Sequence, residues 1–166
     1  MHCESYLLDS QALALMAHQD EDGNRSKIVT LHGTYTSQKS PVELLNLACV
    51  RSHTTKLIQK QAACEILKFK HKPPFLLSDG VGVFPTSSSK HATCCWIFNH
   101  FFTTREIGKK KTELTFPTGI KVTVPASLHI ILQQSGRLHT LLSHYAQTKK
   151  ELYFEQYLFN SERMNR

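Results

Sequence analysis

Long apolar runs are missing from this chain of 166 residues. The two longest, Ala12–Ala17 and Cys94–Phe98, fall far short of the ~20 residues that a membrane helix needs. The opening Met1-His2-Cys3-Glu4 has neither the basic start nor the apolar core of a secretory signal. A soluble cytoplasmic protein with no membrane partner is expected. Seven glycines and six prolines are too few for a low-complexity or collagen-like chain. The cysteines Cys3, Cys49, Cys64, Cys94 and Cys95 are odd in number, form no C-x-x-C and include an adjacent pair. That is a poor disulfide framework and suits a reducing compartment.

Signatures of catalysis are equally sparse. His91, Cys94, Cys95 and His100 come nearest to a zinc site or a Cys–His pair. Adjacent cysteines on an apolar strand point to opposite faces, however, and an apolar setting does not make a reactive thiolate. Gly80-x-Gly82 stands alone, without the helix and Lys-Ser/Thr of a phosphate-cradling loop. Residues 51–150 hold only four carboxylates, Glu65, Asp79, Glu106 and Glu113, too few for a two-metal nuclease. No enzyme, metal or cofactor is expected.

What is present is positive charge, unevenly placed. Residues 51–150 carry 15 basic and 4 acidic side chains (15 − 4 = +11), whereas residues 1–50 carry 3 and 6 (3 − 6 = −3). Concentrated positive charge is the footprint of a nucleic-acid binder, although a solvated basic face has the same composition.

The local patterns predict an α+β chain. Tyr6–Leu8 and Ala12–Met16 read as a short hairpin, and Lys27–Leu31 on to Tyr35 as one β-prone run. Ser40-Pro41 marks a helix start, and a second helix is expected over Thr54–Leu67 with Leu57, Ile58, Ala62 and Ile66 facing inward. Lys56 and Lys60 then form a basic helix face, read as solvated, with lying along phosphates as the other reading. Phe75–Leu77, Val81–Phe84 and Thr93–Phe102 read as strands, the last of them central, with Trp96 and Phe98 in the core. Lys111–Phe116 and Ile120–Val124 form a hairpin around Pro117-Thr118-Gly119, after which Pro125 and Ser127 open a long helix with Leu128, Ile131, Leu132, Ser135, Leu138 and Leu142 on its period. Gly136 within that helix suggests a close approach or a bend.

His71-Lys72-Pro73-Pro74, then Phe84-Pro85-Thr86 with Ser88-Ser89, then Cys94-x-Trp96-Ile97 resembles the bacterial competence transcription factor (ComK) family in order and spacing. Residues 69–145 carry the resemblance well; residues 40–68 and the C-terminal tail depart from it. The resemblance implies one DNA-binding domain over residues 1–150, followed by an aromatic tail or helix over 151–166. It implies a transcriptional activator that reads paired A/T-rich boxes of double-stranded DNA mainly through the minor groove. Dimers would associate into a tetramer on the DNA, and a protease adaptor would limit the protein's abundance. A basic module that binds RNA or protein while keeping the fold is the alternative.

The residues add candidates for DNA contact. Arg105 and Lys109-Lys110-Lys111 lie in the connection leading to the hairpin, where a lysine-rich tip suits phosphates or a narrow groove but also serves solubility. Lys68, Lys70 and Lys72 alternate, as a basic ridge or a lysine-blunted edge would, and Lys121 faces outward on the last strand. The tail, with Leu152, Tyr153, Phe154, Tyr157, Leu158 and Phe159, is expected to pack on the body, with docking to an adaptor as the other reading.

Overall fold

Side-chain alternation through the Trp96 segment sets the layers of the fold. In the computed structural model, which describes residues 7–164, Cys94, Trp96 and Phe98 enter one core while Cys95 and Ile97 enter another on the opposite face. The elements run β1 (Ala12–Ala17), β2 (Ser26–Thr30), β3 (Gly33–Ser37), α1 (Pro41–Arg51), α2 (Lys56–Leu67), β4 (Phe75–Ser78), β5 (Val81–Pro85), β6 (Cys95–Phe98), β7 (Thr103–Gly108), β8 (Lys111–Thr115), β9 (Lys121–Val124) and α3 (Leu128–Met164). They form a six-stranded sheet in the order β3-β2-β1-β6-β5-β4 and a three-stranded sheet β7-β8-β9, both antiparallel throughout. The α+β class, with flanking helices and a long helix after the last hairpin, is as the sequence predicts.

One face of the large sheet buries Leu15, Ile28, Val83, Trp96 and Phe98 under Leu44, Leu45 and Ala48 of α1. That helix starts where expected, because Ser40 and Glu43 bond reciprocally across its first turn and Pro41 occupies the opening position. The other face packs Phe84, Cys95 and Ile97 on Leu114, Val122 and Val124 of the small sheet, on Phe116 just after β8, and on Ile131 and Leu138 of α3. A bulge between Ala12 and Ala14 lets β1 send both Leu13 and Ala14 to this second core. Burial of each such large side chain contributes ~1.5–3 kcal/mol.

Several expectations need correction. Leu7 and Leu8 form no strand: β1 is flanked by β2 and β6, which leaves no free edge, and Asp9 turns the chain by accepting the Gln11 N–H. Tyr6 lies outside the described residues. The run from Lys27 to Tyr35 is two strands, because Gly33 adopts φ +148 and the Thr30 hydroxyl donates across the bend to the Gly33 carbonyl. Thr103–Gly108 is a strand, β7, although its side chains are mostly exposed and give no apolar alternation to read. Leu57 and Ile58 do not face inward; they are 65% and 54% exposed, and α2 instead packs through Ala63, with Ile66 and Leu67, onto Leu76 and Leu141.

Along α3 the close approach is not at Gly136, which has open space where a side chain would stand. It is at Gly82 of β5, where a Cβ would lie 2.7 Å from Cδ1 of Leu138. The aromatic end of α3 does not pack on the body. The helix continues unbroken past residue 150, and Tyr153, Phe154 and Tyr157 are each more than 60% exposed.

Candidate nucleic-acid interface

Six lysines from three parts of the chain line one open cleft of about 1350 Å³. Lys56 and Lys60 come from α2, Lys70 and Lys72 from the segment between α2 and β4, and Lys109 and Lys110 from the two-residue turn joining β7 to β8. Ser87, Ser88 and Ser89 of the loop after β5 lie along it, and Glu65 is its one carboxylate. Among the described residues none of the six lysines has a carboxylate within ion-pair distance.

Basic residues elsewhere are arranged differently. On the small sheet, Glu113 is held between Arg105 (3.1 Å) and Lys121 (3.8 Å), so two of the eight predicted DNA contacts share a carboxylate on adjacent strands. Lys149 pairs with Asp79 at 2.7 Å. Such solvent-exposed pairs neutralise local charge and contribute little to stability.

The 68–72 segment is not an extended ridge. Lys68 takes the left-handed conformation (φ +59) and ends α2 by donating its N–H to the Cys64 carbonyl, and Lys72 is again left-handed (φ +49). Two turns destroy the alternation, so Lys70 and Lys72 line the cleft and Lys68 does not. The segment is pinned from α3. The buried Gln134 amide donates to the carbonyl oxygens of Lys72 and Pro85, both at 2.9 Å. Arg137 donates to the Gln134 side-chain oxygen at 3.0 Å and lays its guanidinium 4.0 Å from the centre of the Phe69 ring. Sequence reasoning missed Gln134 and placed Ser135 on the inward face instead. The available signal was the spacing Ile131–Gln134–Leu138, which keeps one helix face.

The lysine tip is where the sequence puts it, but it divides. Lys109 and Lys110 form the turn itself, while Lys111 opens β8, pairs with Gly108 and lies outside the cleft lining. Of the eight predicted contacts, Lys70, Lys72, Lys109 and Lys110 converge. Lys68, Lys111, Arg105 and Lys121 stand apart from them.

The buried cysteines Cys49, Cys94 and Cys95 show no activation. Burial pushes the Cys49 and Cys95 thiols up to about 11 and raises Cys94 as well. Raised values disfavour the thiolate that nucleophilic chemistry requires.

The family described as ComK protein matches residues 3–150, which is most of the chain. The chain belongs to the ComK family. The match runs through residues 40–68, where short motifs alone depart from the ComK pattern. A competence transcription factor of Bacillus subtilis (strain 168) is 26% identical over 137 residues, covering 81% of this chain and 71% of that protein. No solved structure matches the chain. Membership of ComK supports a transcription regulator, and the family is one of transcription factors rather than of enzymes. No helix among the described residues is long and apolar enough to cross a membrane.

Proposed function

We propose that this protein is a sequence-specific DNA-binding activator that reads paired A/T-rich boxes mainly through the minor groove. Dimers associate into a tetramer on the DNA. One observation carries the reading: Lys70, Lys72, Lys109 and Lys110 meet at one open cleft without carboxylate partners. Unpaired cations gathered on one surface are what a polyanion binder needs, because each phosphate met releases a condensed counterion. The Lys109-Lys110 turn projects as a short two-residue tip, the shape that a narrow A/T groove with its concentrated negative potential admits. Lys70 and Lys72 then hold phosphates beside it and supply affinity without sequence preference. The exposed aromatic end of α3 is where a protease adaptor would dock.

A gel-shift titration tests the reading. A duplex with two A/T boxes is expected to bind at least ~4 kcal/mol more tightly than a scrambled duplex at physiological salt. Binding is expected to be cooperative when the boxes are spaced by whole helical turns. Preference for single-stranded RNA over either duplex would favour the basic-module alternative instead.

A further inference from the structure

On sequence alone Lys56 and Lys60 read as a solvated helix face ahead of one lying along phosphates, but both line the lysine cleft and neither is fully exposed. We propose that α2 is the second wall of the DNA site, with Lys56 and Lys60 holding phosphates of the strand whose groove the Lys109-Lys110 turn enters. This rests on the DNA-binding reading above and adds residues to it.

Three costs attach to Lys56 in the free protein, and no carboxylate offsets them. Burial first, and the Lys60 cation second, hold its ammonium below the ordinary lysine value. Lys60 is its i+4 neighbour on the helix surface, a like-charge placement that destabilises. Lys56 is also the first residue of α2, where the helix dipole repels a cation, and the first turn holds no acidic residue. The folded chain binds this proton less tightly than the unfolded chain does. The charge therefore works against folding wherever it is present, and stability from this group rises with pH toward the unfolded lysine value. An anion in the cleft offsets all three costs.

The shape agrees with a polymer. A cleft of about 1350 Å³ exceeds the ~300–1,000 Å³ typical of small-molecule pockets. Lys56 and Lys60 are one helical turn apart, about 6 Å, a spacing that lets the two side chains reach neighbouring phosphates. Ser88 and Ser89, which also line the cleft, supply hydroxyls able to donate to phosphate oxygens.

The proposal predicts opposite effects on folding and on binding. Lys56→Met and Lys60→Met, singly and together, are compared with Lys150→Met, an exposed lysine on α3 outside the cleft. Lys56→Met is expected to raise the Tm of the free protein by about 2 °C. Each single cleft variant is expected to lower the slope of log K against log salt on the paired-box duplex by about 0.9, and the double variant by about 1.8, leaving the ratio of A/T to scrambled binding unchanged. Lys150→Met should alter neither. If the native protein binds the paired boxes and both cleft variants keep its salt slope, α2 is not part of the site. If the native protein binds no duplex at all, the DNA-binding reading itself fails, and this inference with it.

Discussion

Replacing Lys70, Lys72, Lys109 and Lys110 together with alanine is expected to lower affinity for the paired-box duplex by ~10³ at physiological salt. The salt slope should fall by about 3.6, from roughly 0.9 for each phosphate that the variant no longer neutralises. All four line the cleft and none is paired with a carboxylate, so their removal leaves no buried acid without its partner. The fold should therefore tolerate the change, with a Tm equal to or above that of the native protein. Arg105→Ala with Lys121→Ala is the informative contrast, because those two side chains flank Glu113 on the outer sheet. That pair of changes is expected to leave the slope nearly unaltered. A fourfold variant that binds as tightly as the native protein would remove the cleft from the site.

Gln134→Leu is expected to cost about 2–3 kcal/mol of stability, a fall in Tm of roughly 5–10 °C, read by thermal or denaturant unfolding. The leucine has a similar size and is apolar, so the loss comes from the two carbonyls, of Lys72 and Pro85, that are left without their donor. An unsatisfied buried acceptor costs ~1–3 kcal/mol. The same change frees the Lys72 backbone from its left-handed turn, so affinity for DNA should fall further than the stability loss explains at temperatures where the variant is folded. Lys72 is held by a residue of α3 that lies outside the cleft lining. A loss below about 0.5 kcal/mol would mean that neither carbonyl depends on Gln134.

These two effects mark where the sequence was legible. Elements whose pattern is local could be read directly. The β8–β9 hairpin alternates cleanly around Gly119, which adopts φ +83, and α1 announces itself through Ser40, Pro41 and Glu43. The opposite facing of Cys94 and Cys95 followed from strand geometry alone. Features that depend on tertiary contact could not be read. The 68–72 segment looks extended until the left-handed turns at Lys68 and Lys72 are known, and the second is held by an amide 62 residues further on. β7 is an outer strand with little buried surface, so its ladder to β8 rather than its composition makes it a strand. The inward face of α2 was misjudged for the same reason. Leu57 and Ile58 carry the larger apolar side chains, but the surface that α2 meets is on the side of Ala63. Charge was legible as a total and illegible as a surface. The clustering of positive residues between 51 and 150 fits a polyanion partner and a solvated basic face alike, whereas the division into paired cations on the small sheet and unpaired ones in the cleft is a product of folding.

The proposed convergence of the cleft lysines on one bound strand is most directly tested by the reactivity of each lysine toward an amine-modifying reagent, with and without the paired-box duplex, read by mass spectrometry. Lys56, Lys60, Lys70, Lys72, Lys109 and Lys110 should be protected together, over one range of DNA concentration. Lys39, Lys90, Lys149 and Lys150 should react as in the free protein. Protection spread evenly over all lysines, or confined to Lys68, Lys111 and Lys121, would contradict a DNA site in the cleft.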